Sequence, residues 1–573
     1  MADKKRIPYA VADYGRLREE NFYYIDKTEF IPYLEEYSAP VFLRPRRFGK
    51  SLFMSTLAYY YDVNQKDRFD VLFGDTYIGQ HPTKERNSFL ILRLDFSKLG
   101  VADTAEGLER NFHDLVCPVL KGLVSGRYRN YFEGFSYKTD SDANSMLAEL
   151  TGFITDYGLP KMYVLIDEYD NFTNQLLTVF QDRLYEQITT GDSFLRTFFK
   201  VVKAGIGEGS IIRCFCTGVL PVTMDDLTSG FNIANIITLN RRFLNMTGFT
   251  HRETSEYLRY VVDNYADTDS NYAELWQMVV DNYDGYRFLP DAEPLFNSTI
   301  LTYFMQNLAD GKGEVPRELV DENLRTDINW LKRLTVTQDN ASDMLDKLLI
   351  DGELRYAFDD LSSKFSKYKF FQKDFYPVCL FYLGMITMKS ELKMHLPNLS
   401  MKSIYMDYYN QLNSTNKYKD DFIDAFEKFA HDAKLLPIVD VYFKKYLGQF
   451  PAQVFDKINE NFVRCSFFEL CSRYMRGRFT FALEQNLPSG RADMVMTGVP
   501  GTKYHNDCRV VEFKYFKAKD VRLVEGLPDA KADDVAQVKA YATDINQSFP
   551  EYRMSAYVVY IAAGKAYKAS LKL

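Results

Sequence analysis

Three residues near the C-terminal end of the chain have the types and spacing to act on a phosphodiester. "GRADMVM" (490–496) sets Asp493 on a strand-like run after a glycine, and "RVVEFKYF" (509–516) sets Glu512 and Lys514 two residues apart. Strand side chains alternate between faces, so Glu512 and Lys514 share one face while Val511, Phe513 and Tyr515 take the other. An Asp and a Glu on neighbouring strands offer oxygen ligands for one or two Mg²⁺ ions. A nearby Lys stabilises developing charge or positions a water. "QVKAY" then supplies Gln537 and Tyr541 at i, i+4, on one helix face. Glu484, on the preceding strand-like run, is a candidate further ligand. E-x-K alternation also marks solvent-facing sheet edges, and the residues alone leave that reading open.

A second set lies near the N-terminus. "LRPRRFGKSLF" (43–53) ends in Gly49, Lys50 and Ser51 after the apolar run "PVFLR" and before a helical stripe. Backbone N–H groups at such a helix start cradle phosphates, Lys reaches the outer phosphates and Ser contacts Mg²⁺. "KMYVLIDEYD" (161–170) reads as a buried strand ending in acids. Asp167 is placed to hold the metal and Glu168 to polarise an attacking water. An acidic strand end that merely caps the next helix is the alternative. Thr217, at the tip of "SIIRCFCTG", is a candidate to orient the water or sense the γ-phosphate, and a simple strand-end hydroxyl is the competing reading. Arg46 and Arg47, inside the loop, are candidates for phosphate, a neighbouring subunit or acids such as Asp167; Arg287 in "YDGYRF" is a candidate to reach phosphate from a lid.

The loop departs from the usual pattern at Arg44, where its first glycine is expected. That glycine permits a tight turn. Before Pro45, Arg44 is held extended, so the turn is expected to begin at Pro45, with nucleotide binding retained and turnover slowed.

The elements that must position these groups are legible as patterns. Up to about residue 320, strand-like runs (40–44, 88–97, 161–170, 210–218) alternate with helical ones (105–125, 192–205), which implies a parallel sheet with crossovers. Thr250 and Glu253 have capping-box spacing. From 321 to 455 the pattern is mostly helical, with an apolar helix and a short hairpin at 378–398 that are compatible with a winged-helix-like unit. From 456 a third pattern begins: a helix (459–475), strands around 479–496 and 508–516, a helix near 533–543 and a final strand at 554–563. The expected domains are therefore 1–320, 321–455 and 456–573, as suits 573 residues.

Composition bounds the class. Hydrophobic content of 46% with 26% charge is that of a soluble globular chain. No run is apolar for long enough to span a membrane. "MADKKRIPYA" has no apolar run behind it and does not read as a signal peptide. The seven cysteines are scattered, with Cys214 and Cys216 expected buried in a strand, and a reducing cytosolic setting without structural zinc is expected. Net charge is -8, but residues 431–573 carry 21 Lys+Arg against 16 Asp+Glu, so the C-terminal part is the better face for a polyanion.

On these marks the chain resembles the bacterial AAA-ATPase-like proteins with a C-terminal PD-(D/E)XK nuclease-superfamily domain. "DYGRLREENFYYIDKT", "FLRPRRFGKSLF", "LIDEYDNF", "TGVLPVTMDDLTSGFNI" and "YDGYRF" carry the first part; "GRADMV", "VVEFKYFK" and "QVKAY" carry the second. The loop is also similar to the G-P-R-R-x-G-K-T loop of signalling-type ATPases, with Arg44 in place of the first glycine. The resemblance implies an α/β fold: a P-loop ATPase core with Gly49, Lys50, Ser51, Asp167 and Glu168 at its site, a helical middle and a restriction-endonuclease-like domain. The expected cofactors are ATP and Mg²⁺, the expected partner is nucleic acid with DNA favoured, and a homo-oligomer is left open. Three functions compete: an ATP-controlled Mg²⁺-dependent nuclease, a nucleotide-dependent switch that grips nucleic acid without cutting, and a nuclease on a silent ATPase scaffold.

Overall fold

The computed structural model describes residues 4–179, 181–227, 230–267, 272–319, 341–362, 369, 372–415, 419–527 and 529–571. Runs that are apolar throughout become the inner strands of a parallel sheet, because such strands are covered by helices on both faces. Every residue of β1 (Pro40–Leu43) and β3 (Met162–Asp167) is buried. With β2 (Leu90–Asp95), β4 (Ile211–Gly218) and the two-residue β5 (Asn235–Ile236) they form a sheet of order β2-β3-β4-β1-β5, parallel throughout. Thus the carboxyl ends of β1 and β3 flank that of β4, the place where open α/β sheets bind ligands. Cys214 and Cys216 are buried in β4, as expected. The capping box at Thr250 is complete in both halves, and its Glu253 also pairs with Lys27 at 2.6 Å.

The middle is helical. The apolar helix and hairpin expected at 378–398 are the helix Tyr376–Tyr382 and strands β7 (Thr387–Ser390) and β8 (Lys393–His395). A short β6 (Leu354–Arg355) joins them in a three-stranded sheet. Helices Leu399–Leu412, Lys419–Asp432 and Leu435–Val441 follow. The boundary expected at 320/321 lies outside the described residues. The one expected at 455/456 falls inside the short helix Val454–Lys457, whose Phe455 carbonyl accepts from the Tyr515 hydroxyl (3.1 Å).

The C-terminal sheet is mixed, of order β13-β12-β11-β10-β9. Its strands are β9 (Phe479–Leu487), β10 (Gly490–Gly498), β11 (Asp507–Phe516), β12 (Arg553–Ala562) and β13 (Ala566–Leu571). The parallel pair β11–β12 needs a crossover, and helix Ala532–Ser548 provides it. Helix Glu460–Tyr474 covers one face, with Phe467 on Phe513, while Val538 and Tyr541 of the crossover helix cluster with Val510 and Val558. β5 and β13 escape a pattern search, being too short or too interrupted by Lys and Ser to alternate cleanly.

The three regions pack against one another. Phe288 meets Phe381, with ring centroids 5.8 Å apart, and the Arg287 N–H donates to Thr387 Oγ1 of β7 (2.6 Å). Tyr552 of the C-terminal unit donates its hydroxyl to Glu274 on helix Tyr272–Tyr283. No described helix is long and apolar enough to cross a membrane.

Candidate functional site

The N-terminal site is built on the turn from β1 into helix Lys50–Tyr61. Gly49, at φ 85°, opens the helix in the left-handed region, and no side chain caps the helix's first N–H groups. The turn is also tightened at Arg47, φ 70°. Lys50 folds back so that Nζ donates to the carbonyls of Arg44 and Pro45, both at 2.9 Å. The segment 297–299 clamps the loop from above: Asn297 Nδ2 donates to the Arg46 carbonyl (3.1 Å) and the Thr299 N–H to that of Arg47 (3.0 Å). A cavity of about 230 Å³ opens between them. Gly49, Lys50, Ser51, Arg47 and Glu168 are among its polar lining, and Pro8, Ala10, Tyr23, Phe249 and Tyr257 add apolar surface of the kind on which a flat base packs.

β3 and β4 deliver the acids. Asp167 is buried and accepts from Thr217 Oγ1 at 2.6 Å, so Thr217 acts through that carboxylate. Glu168, at φ 50°, faces the cavity; burial raises its pKa and Lys50 opposes the rise. Arg46 Nη2 reaches Asn171 Oδ1 at 3.3 Å. Arg287 does not line the cavity; its charge falls on His251 and His395 instead. Asp170 was not singled out in the sequence, although it belongs to the same "DEYD" run. It is buried and accepts from the N–H groups of Val219 and Leu220, fixing the end of β4 against that of β3.

Arg44 does not line this cavity. Its N–H donates to the Gly218 carbonyl (3.2 Å), so the β1–β4 ladder runs one residue further, as an extended residue before proline should. Its fully buried guanidinium turns away and donates to the carbonyls of Leu43 (3.0 Å), Thr238 (2.9 Å) and Leu244 (3.2 Å), with Phe288 and Phe42 against its faces. Burial pushes this guanidinium down to about 9. Arg44→Ala is expected to cost about 2–4 kcal/mol of stability, from three bared carbonyls and a cavity. Denaturant unfolding of the two proteins measures it, and equal midpoints would contradict the bracing role.

The C-terminal site is a row across three strands. Met494 pairs with Val511 and with Leu483, so the next step in register sets Asp493 between Glu512 and Glu484. Asp493 Oδ2 accepts from the Phe513 N–H (2.8 Å) and Oδ1 from Arg464 Nη1 (2.7 Å). Glu512 Oε1 accepts from Lys514 Nζ at 2.9 Å, while Glu512 Oε2 is buried without a hydrogen-bond partner. Lys514 also reaches Gln537 Oε1 (3.3 Å), and Gln537 Nε2 donates to the Tyr541 hydroxyl (2.7 Å). Asp493, Glu512, Lys514, Gln537 and Tyr541 therefore stand in one connected group. Gly490 lets Tyr541 close over the row: a Cβ there would lie 3.0 Å from its hydroxyl.

Sequence reading missed Glu460 and Arg464, both on helix Glu460–Tyr474. Glu460 Oε2 accepts from the Tyr515 N–H (3.4 Å), and burial and Asp493 raise its pKa. Glu484 is bound by Arg464 and Arg491, at 3.0 and 2.8 Å. The signal for the helix residues was only their place on an otherwise apolar helix face.

Among the described residues no group of three or more His, Cys, Asp or Glu side chains gathers to hold a metal alone. Two carboxylates with one orphan buried oxygen nonetheless suit Mg²⁺, which keeps several waters. Burial and the Asp493 charge push the Glu512 carboxyl up to about 7. A raised carboxyl favours the fold when protonated, so its contribution is complete below about pH 4.3 and is lost as pH rises through about 7. In a chelator, the Tm of the wild type is expected to fall between about pH 4 and about pH 7 relative to Glu512→Gln. Parallel profiles would remove the assignment.

Residues 8–228 match a family described as predicted AAA-ATPase, and residues 458–569 match the PD-(D/E)XK nuclease superfamily. The first match takes in Lys50, Ser51, Asp167, Glu168 and Thr217; the second takes in Glu460, Arg464, Asp493, Glu512, Lys514, Gln537 and Tyr541. The chain is also similar to an uncharacterized protein in the vnfD 5' region of Azotobacter chroococcum mcd 1, 28% identical over 260 residues. That alignment covers 44% of each of the two chains, so the likeness spans less than half of that relative.

Proposed function

We propose that this chain, which carries an AAA-ATPase-like domain and a PD-(D/E)XK nuclease superfamily domain, is a Mg²⁺-dependent nuclease controlled by ATP bound at its N-terminal loop. The observation that carries the reading is the row of Asp493 and Glu512, with Lys514 held against it and one Glu512 oxygen unpartnered. The orphan oxygen and Asp493 would hold Mg²⁺, which when bound supplies Lewis acidity toward a phosphodiester. Lys514, fixed by Glu512 and Gln537, stabilises charge developing on the phosphate or positions the attacking water. Tyr541 holds Gln537 in place. The substrate is nucleic acid, with DNA favoured. The seven cysteines are free thiols, in keeping with a reducing, cytoplasmic setting.

At the N-terminal site the uncapped helix start, Lys50 and Ser51 receive the phosphates of ATP, and Asp167 and Ser51 would hold its Mg²⁺. Glu168 accepts the proton of the attacking water. Pro45 of the loop abuts Gly384, which precedes the β7–β8 hairpin, so a shift of the loop on nucleotide binding meets the middle region directly.

A second reading has one observation in its favour. The Arg464 guanidinium already sits on Asp493, which suits a domain that grips nucleic acid without cutting it. Cleavage of linear and circular duplex DNA, single-stranded DNA and RNA in Mg²⁺, with and without ATP, separates the two. Glu168→Gln is expected to bind ATP but hydrolyse it at least about 100-fold more slowly, and to shift the ATP response of cleavage. Cutting that ignores both ATP and Glu168→Gln would leave the ATPase as a scaffold, and no cutting of any substrate would favour the second reading.

A further inference from the structure

Cations from two regions of the chain converge on one carboxylate at the mouth of the C-terminal site. Glu484 Oε1 accepts from Arg464 Nη2 at 3.0 Å, and its Oε2 lies 2.8 Å from Arg491 Nη2 and 3.9 Å from Lys402 Nζ. Arg491 Nε also donates to the Glu484 carbonyl (3.2 Å). The charge of Lys389 falls on the same carboxylate, while its Nζ pairs with Glu353 at 3.0 Å. Arg464 and Arg491 belong to the C-terminal unit. Lys389 comes from β7, and Lys402 from helix Leu399–Leu412.

Four further features set this cluster apart from an ordinary surface ion network. Glu484 has φ 56°, a left-handed conformation rare for a glutamate within a strand. It stands beside Asp493 in the cross-strand row, so the cations reach the edge of the proposed reaction centre. Arg491 lies two residues before Asp493 on β10 and projects from the same face, with its side chain 58% exposed; that of Lys389 is 55% exposed. The field is strong enough to act on a neighbour: burial, then Lys402, Lys389 and Arg287, push His395 down to about 4.

Guanidinium and ammonium groups gathered around two acidic oxygens also fit a phosphodiester, which presents two unbridged oxygens and one negative charge. We propose that Arg464, Arg491, Lys402 and Lys389 form the docking site for the nucleic acid backbone beside the bond acted on at Asp493 and Glu512. Glu484 is the internal anion that a backbone phosphate displaces. This rests on the nuclease-like reading of the C-terminal unit and adds that the middle region supplies half of the phosphate grip. Any motion of the β7–β8 hairpin would then alter the grip on substrate as well as the shape of the cleft.

The test is equilibrium binding of fluorescein-labelled nucleic acid to the full chain in EDTA, where metal-dependent cutting is off. Duplex DNA, single-stranded DNA and RNA of one sequence form separate arms. The double variant Lys389→Ala, Lys402→Ala is expected to weaken the best arm at least ~10-fold and to lower the slope of log K against log [salt] by about 1–2. Lys389→Arg, Lys402→Arg is expected to bind like the wild type. Glu484→Gln is expected to tighten binding roughly 3-fold or more, because the competing anion is gone. An unchanged affinity and slope in the alanine variant, beside a wild type that binds, overturns the docking site and leaves the nuclease-like reading standing. Weaker binding by Glu484→Gln overturns its role as a displaced anion. A wild type that binds none of the three arms overturns both readings.

Discussion

Asp493→Ala is expected to lower metal-dependent cleavage of nucleic acid by about three orders of magnitude or more, with ATP binding unchanged. Asp493 is the centre of the row: it accepts the Phe513 N–H at 2.8 Å and the Arg464 guanidinium at 2.7 Å, and its charge reaches both Glu512 and Glu460. Alanine removes one of two carboxylates available to a cation and leaves Arg464 with Glu484 as its remaining ion-pair partner. A purely architectural role would predict a different pattern. Asp493→Asn keeps the shape and an acceptor for the Phe513 N–H, so an architectural residue would tolerate it. If the carboxylate charge holds Mg²⁺, Asn is expected to fall nearly as far as Ala, and calorimetric titration with Mg²⁺ should lose its heat in both. Cleavage at the wild-type rate in both variants would exclude this row as the reaction centre.

Lys50→Ala is expected to weaken Mg-ATP binding about 100-fold or more, measured by calorimetry on the full chain. Lys50 is buried and lines the cavity, where burial lowers its pKa while Glu168, Asp167 and Asp170 favour its charged form. Nζ bonds the carbonyls of Arg44 and Pro45, two neutral acceptors that phosphate oxygens can replace with stronger, charge-assisted bonds. The substitution also removes those loop bonds, so a thermal midpoint is needed beside the titration. Ser51→Ala leaves them in place and is expected to weaken binding only in the presence of Mg²⁺. Wild-type affinity in Lys50→Ala would mean that the phosphates lie elsewhere.

Cleavage and nucleotide binding are read at sites on different sheets, and the two variants therefore separate them. Asp493→Ala tests the proposed C-terminal chemistry with the N-terminal loop intact, and Lys50→Ala does the reverse. A cleavage rate that loses its ATP response in Lys50→Ala would tie the two sites together.

Local geometry explains which parts of the sites were legible from sequence. Period-2 alternation put Glu512 and Lys514 on one face of β11, and the i, i+4 rule paired Gln537 with Tyr541; both pairs meet in the structure. A glycine before Lys50 and acids at the end of an apolar run marked a helix start and a buried strand end, and the fold brings Lys50, Ser51 and Glu168 to one cavity with Asp167 buried at the end of β3. Arg44 is the instructive exception. Its departure from the loop pattern led to an expectation of retained nucleotide binding with slowed turnover, and the spacing gave no sign that its side chain lies behind the loop among Phe42, Phe288 and three carbonyls. Two of those carbonyls, of Thr238 and Leu244, are distant in sequence and adjacent only in the fold.

The sequence by itself marked the longer strands and helices of both sheets, the shared face of Glu512 and Lys514, the Gln537–Tyr541 pair and the helix start at Gly49 and Lys50, since each follows from spacing within a single element. Tertiary structure alone decided that Thr217 meets Asp167, that Arg464 sits on Asp493, and that Lys402 approaches Glu484 from the middle of the chain while the charge of Lys389 falls on the same carboxylate. Those relations depend on strand register and on how separate units pack, and a charge has no sequence signature for the partner it meets across such a contact.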